Sequence, residues 1–123
     1  MANILIASQD QTVQDLLELS LQRFEHFIRL SETGSESIKM IQEDYFDLAL
    51  FENEMPDMTA VKILKNLKHQ LKTVPLIIVI ASEFSQQTLK DCISAGARDF
   101  VVKPFNLPDL ILRIEKMLKQ AHL

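Results

Sequence analysis

The sequence predicts an α/β domain built as three layers, with a parallel five-stranded sheet between two layers of helices. Two observations lead there. Five short apolar runs alternate strictly with five stretches of helical periodicity, which implies parallel crossovers. Two of the runs, Leu48–Phe51 and Leu76–Ala81, are continuously apolar, as central strands covered on both faces must be.

Each element follows in order. Ile4–Ala7 is a first strand, and Val13, Leu16, Leu17, Leu21 and Phe24 recur at helical spacing behind it. His26, Ile28 and Leu30 alternate with Phe27 and Arg29, the pattern of a half-exposed edge strand. Gly34 punctuates a turn, after which Ile38, Ile41 and Tyr45 form a short second stripe. The third strand, Leu48–Phe51, runs into Glu52 and a turn at Met55 and Pro56. Val61, Leu64, Leu67 and Leu71 step along a third helix. Pro75 opens the most β-prone run of the chain, Leu76–Ala81. Leu89, Cys92 and Ile93 mark a fourth helix with Gly96 as its left-handed terminator. Phe100–Val102 is the fifth strand. Asn106 caps a last helix that tolerates Pro108 in its first turn and turns Leu110, Ile111, Ile114 and Leu118 inward.

A polar second strand suits an edge, so the expected strand order is the flavodoxin-like, doubly wound 2-1-3-4-5. In that topology ligands bind beyond the carboxyl ends of the strands, where strands one and three diverge. The rim residues to interrogate are then Ser8, Gln9, Glu52, Ile80, Ala81 and Lys103.

Composition narrows the classes of function. At 123 residues the chain is expected to be one domain, residues 1–123, large enough to bury a core. Thirteen basic against seventeen acidic residues leave a formal charge of -4, which offers no electrostatic basis for binding nucleic acid. No apolar stretch approaches the roughly 20 residues of a membrane helix. The short apolar start, Met1–Ala7, reads as a strand and not a signal peptide. The single Cys92 excludes an internal disulfide and fits a cytoplasmic location. His26, His69 and His122 lack metal-ligand spacing. Lys62, Lys65, Lys68, His69 and Lys72 form a basic stripe that reads as a solvated helix face.

Two motifs carry a family resemblance. Gly96-Ala97-Arg98-Asp99-Phe100-Val101-Val102-Lys103-Pro104-Phe105 and the turn Glu52-Asn53-Glu54-Met55-Pro56, set in five strand–helix units, resemble the receiver domain of two-component response regulators over essentially the whole chain. The resemblance implies a site in which an aspartate ending strand three takes a phosphoryl group from a kinase histidine. Two acids after strand one and a backbone carbonyl beyond the aspartate hold Mg²⁺. A Thr or Ser ending strand four and a Lys before a cis proline contact the phosphoryl oxygens.

The chain departs from that pattern at most points. The acid pair falls on Ser8 and Gln9, the acceptor on Glu52, and the hydroxyl position on Ile80, which has no donor to offer. Lys103 and Pro104 match, with Pro104 expected to be cis. Phe100 takes the position of the family's switch aromatic and reads as a core phenylalanine. The carbonyl position becomes Glu54. Glu52 and Lys103 sum to zero charge, so an ion pair within about 4 Å closes the site without metal; Asp10 adds at most one further acid. No cofactor and no Mg²⁺ are expected, and no enzymatic activity.

The resulting expectation is a degenerate pseudo-receiver in which Glu52 is no phosphoacceptor. Its partner would be a protein, such as a histidine kinase, a regulator or an output domain. The contact face carried over from the family is the fourth helix, fifth strand and fifth helix, with Lys90, Asp91, Arg98, Asp109, Arg113 and Lys116 exposed on it. The alternatives are a phosphorylatable receiver in a phosphorelay and a flavodoxin-like domain binding flavin or another small ligand at the same rim.

Overall fold

The computed structural model describes residues 1–121, so His122 lies outside the described residues. Five strands and five helices alternate along the chain: β1 (Asn3–Ala7), α1 (Gln11–Gln22), β2 (Phe27–Ser31), α2 (Gly34–Glu43), β3 (Leu48–Glu52), α3 (Ala60–Gln70), β4 (Leu76–Ala81), α4 (Gln86–Ser94), β5 (Asp99–Val102) and α5 (Leu107–Ala121). All strand pairs are parallel and the order is β2-β1-β3-β4-β5. The expected architecture and order are therefore observed.

Side-chain alternation along the strands divides the core in two. Leu5, Ala7, Ala49, Phe51, Ile77 and Val79 face one side, packed with Ile41 of α2, Ile63, Leu64 and Leu67 of α3 and Cys92 of α4. Ile4, Ile6, Leu48, Leu50, Ile78 and Ile80 face the other, packed with Val13, Leu17 and Leu21 of α1 and Leu110, Ile111, Ile114 and Leu118 of α5. Because β1, β3 and β4 supply both faces, their residues are apolar except at the ends, Asn3 and Glu52, and β3 is buried throughout. Edge strand β2 keeps only Ser31 fully buried.

Local chemistry sets the helix ends. Asp10, Thr33, Thr59 and Ser85 cap α1 to α4 by accepting backbone N–H bonds, and Asn106 accepts from Asp109 at 2.8 Å to start α5. Helix α4 ends in a Schellman arrangement, with Gly96 N–H donating to Ile93 O and Ala97 N–H to Cys92 O; Gly96 takes φ +114°, a region glycine occupies without strain.

Some apolar positions fall outside the core. Leu16, Phe24, Tyr45 and Ile93 match the helical stripes, yet all four are exposed. Tyr45 stands beyond the end of α2, where its hydroxyl donates to Asp47 at 3.0 Å. Gly34 is not a turn residue but the first residue of α2, after the Thr33 cap. A Cβ there would meet the Met58 side chain at 2.4 Å, so glycine admits the β3–α3 loop close to the helix.

Candidate functional site

The carboxyl ends of β1, β3 and β5 converge on one cluster of polar side chains. Glu52 is the last residue of β3 and only 8 % exposed, although it is a carboxylate. Two donors compensate its burial. Lys103, immediately after β5, places Nζ 2.8 Å from Glu52 Oε1, and Ser8, immediately after β1, donates its hydroxyl to the same oxygen at 3.0 Å. The ion pair expected between positions 52 and 103 is thus present, with Ser8 as a third member.

Ser8 is held from three directions. Its backbone N–H continues the β1–β2 ladder to Ser31 O at 3.0 Å, and its hydroxyl oxygen accepts Asp10 N–H at 3.0 Å. Gln14 on α1 donates Nε2 to Ser8 O at 2.5 Å from a buried position. Sequence reading missed Gln14. Its one signal is a polar residue on the inward side of α1, between Val13 and Leu17.

Lys103 follows β5 directly, and the Lys103–Pro104 peptide is cis, as expected. Its ammonium also contacts Asp10 Oδ2 at 3.4 Å. Partial burial works against the charge on Lys103, but the hydrogen bond and charge of Glu52, followed by those of Asp10, more than offset it and raise the pKa. Asp10 is shifted down, mainly by the Val13 N–H that it caps and further by Lys103.

The remaining predicted positions are not gathered into this cluster. Gln9 is exposed. Ile80 pairs in register with Glu52, but its side chain is buried in the core shared with α1 and α5. Strand β4 runs one residue further, so the residue that ends it is Ala81, whose carbonyl accepts Lys103 N–H at 2.8 Å. The strand ends at Ala81, as the run Leu76–Ala81 predicts, and Ile80, read as the hydroxyl position, stands one residue before that end. Ile80 continues the series of Ile78 toward α1 and α5, and alternation turns Ala81 to the opposite face. Neither side chain has a hydroxyl. Phe100 is half-buried and packs against the core cluster beside α3 and α4. Past Glu52 the loop closes on itself through a Glu54–Thr59 bridge and a bond from Ala60 N–H to Asn53 O at 2.8 Å.

One contact near the site has no counterpart in the sequence reading. Asp57, in the β3–α3 loop, accepts Gly34 N–H at 2.7 Å and the Ser35 hydroxyl and N–H at 2.7 and 3.0 Å. The Ser35 hydroxyl, then these two N–H groups at the start of α2, lower its pKa to about 2. The loop that follows Glu52 is thereby tied to α2.

The chain matches the family model described as "Response regulator receiver domain" over residues 4–115. It belongs to the response regulator receiver domain family. Among relatives, it is 27% identical over 120 residues to the transcriptional regulatory protein ZraR of Escherichia coli (strain K12), covering 98% of this chain and 27% of that protein. It is also 27% identical over 120 residues to the response regulator ArlR of Staphylococcus saprophyticus, covering 98% of this chain and 54% of that one. The chain therefore spans between about a quarter and about half of the length of these relatives. A CheY-like receiver domain protein from Methanospirillum hungatei JF-1 superposes with a TM-score of 0.90 at 27% identity, covering 98% of this chain and 95% of that one. A two-component response regulator from Clostridium difficile gives 0.92 at 21% identity over the full length of both, a likeness of fold.

The donor set of this receiver does not suit the Mg²⁺ that the family implies. A hard dication takes oxygen ligands, preferably carboxylates, in near-octahedral array. Here Glu52 and Asp10 both face the Lys103 ammonium, Ser8 spends its hydrogen on Glu52, and Gln9 contributes no charge. A dication would have to displace the lysine from both acids.

Proposed function

We propose that this receiver domain works in two-component signalling as a protein-binding module whose activity does not depend on phosphorylation. The reading rests above all on the Lys103–Glu52 contact. Phosphoryl transfer relies on a positioned nucleophile and on cationic clamping of the transferred group. Here the acceptor position carries a glutamate, one methylene longer than aspartate, and the lysine that would receive the phosphoryl oxygens is bonded to it at 2.8 Å. The Glu52–Lys103 pair sums to zero charge and Asp10 beside it adds a negative one, so nothing is left to attract an anionic donor. In this reading Glu52 is a structural member of the rim, no cofactor or metal takes part, and the domain is not an enzyme.

The partner is a protein, namely a histidine kinase, another regulator or an output domain. The face proposed for it is α4–β5–α5. Lys90, Asp91, Arg98, Asp109, Arg113 and Lys116 are exposed there. Arg113 pairs with Asp99 and Asp109, both at 3.1 Å, which ties α5 to β5 on this face. The acidic balance disfavours nucleic acid as the partner of this domain. Among the described residues no helix is long and apolar enough to cross a membrane, and a cytoplasmic setting is proposed on the single reduced-type cysteine.

Mass spectrometry of the purified chain after incubation with acetyl phosphate and Mg²⁺ tests this reading. The expected spectrum holds unmodified protein alone. A phosphoryl adduct that disappears in Glu52→Gln would overturn the reading in favour of a phosphorelay receiver.

A further inference from the structure

The outer face of α1 carries large apolar side chains in solvent. Leu16 is 45 % exposed, Leu19 64 % and Phe24 50 %, and Leu112 of α5, 66 % exposed, stands across a groove from Phe24. Phe24 and Leu112, with Ser20 and Arg23, line a groove of about 460 Å³ between α1 and α5. Isolated exposed leucines need no explanation, but a contiguous apolar face marks a contact surface.

Charges along the same face indicate what covers it. Asp15, Leu19 and Arg23 are spaced four residues apart and so form one stripe, with the acid and the base about 12 Å apart along the helix and Leu19 midway. Among the described residues Arg23 has no ion-pair partner, and Asp15 bonds only to the neutral Gln11 amide at 2.8 Å. A stripe with opposite charges at its ends and leucine at its centre is complementary to itself when reversed. A two-fold axis through Leu19 sets Arg23 of each copy against Asp15 of the other, as a closed, isologous contact requires.

We propose that α1, with the flanking Leu112 of α5, is the interface through which two copies of this chain pair antiparallel. This goes beyond the phosphorylation-independent reading and does not depend on it. The surface is centred on α1 and meets the α4–β5–α5 face along α5, where Leu112 lies beside Asp109 and Lys116. The dimer proposed is concentration-dependent and not obligate.

Sedimentation velocity over a concentration series up to about 0.5 mM tests the proposal. The wild-type chain is expected to dimerise reversibly. Leu19→Asp, at an exposed position that leaves the core alone, is expected to remain monomeric with unchanged circular dichroism. Arg23→Asp is expected to weaken pairing at least about tenfold by setting like charges together, and the swap Asp15→Arg with Arg23→Asp to restore it. A wild-type chain that stays monomeric overturns the proposal and leaves the face to an apolar helix of a different protein. So does a dimer indifferent to Leu19→Asp, which puts the interface elsewhere, or a charge swap that fails to restore what Arg23→Asp removed.

Discussion

Replacing Lys103 by methionine asks how much the fold leans on the closed rim. The change removes the ammonium 2.8 Å from Glu52 while keeping most of the apolar stem. The side chains of Glu52 and Lys103 are 10% and 24% accessible, so the pair lies between two limits. Removing one partner of a fully buried pair costs about 3–5 kcal/mol, and exposed pairs are worth about 0–1 kcal/mol. Glu52 would keep the Ser8 hydroxyl and gain water from the open side, which places the expected loss near 2 kcal/mol, or roughly 6–10 °C in Tm for a domain of this size. Urea unfolding of wild type, Lys103→Met, Glu52→Gln and the double variant separates the pair from the rest. The expected coupling is about 1–2 kcal/mol, with the double variant more stable than the sum of the single losses. Since Lys103 is raised above the ordinary lysine value of 10.5, this stabilisation is complete below about that pH and fades as pH rises through the raised value. Coupling below about 0.3 kcal/mol at neutral pH would refute the argument that the ion pair closes the site.

Three further outcomes are expected. Ser8→Ala removes the hydroxyl that donates to Glu52 and accepts from Asp10 N–H, and should lower unfolding free energy by about 1–2 kcal/mol in the same urea assay. Asp57 has its pKa lowered to about 2, so its contribution is present above the ordinary value of 3.8 and is lost as pH falls from there toward 2; Asp57→Asn should flatten that limb of the stability profile, measured by thermal melts between pH 5 and 2. Restoring the family chemistry by Ser8→Asp, Gln9→Asp, Glu52→Asp and Ala81→Thr together should produce acetyl-phosphate labelling where Glu52→Asp alone does not, because a nucleophile without metal ligands and a hydroxyl lacks its clamp.

The sheet was legible because burial on both faces leaves a plain mark. Leu48–Phe51 and Leu76–Ala81 are apolar at every position, and the alternation of residues 26–30 marks the edge. Given that order, the meeting of Glu52 with Lys103 follows, since Glu52 ends β3 and Lys103 follows β5 at the same rim. The rest of the site depends on distances that no periodicity encodes. Gln14 reaches Ser8 O only because α1 packs at one height above β1, and Asp57 finds α2 only because Gly34 lets Met58 approach. Leu76–Ala81 was read with its observed bounds, but a uniformly apolar run does not say how Ile80 and Ala81 divide between the core and the rim. Leu16 failed as a core position because a helix with apolar residues around most of its circumference does not declare which of them faces the sheet, and Phe24 because α1 ends at Gln22, before it.

The most direct measurement of the central claim is a heteronuclear NMR titration of the wild-type chain with Mg²⁺ and beryllofluoride, which occupies a working receiver site as a phosphoryl group would. The account predicts that the backbone amides of Ser8, Glu52, Ala81 and Lys103 stay in place at saturating reagent. Large shifts centred on those residues and spreading to Phe100 would contradict it, because they would show that the rim still opens to a phosphoryl-like ligand.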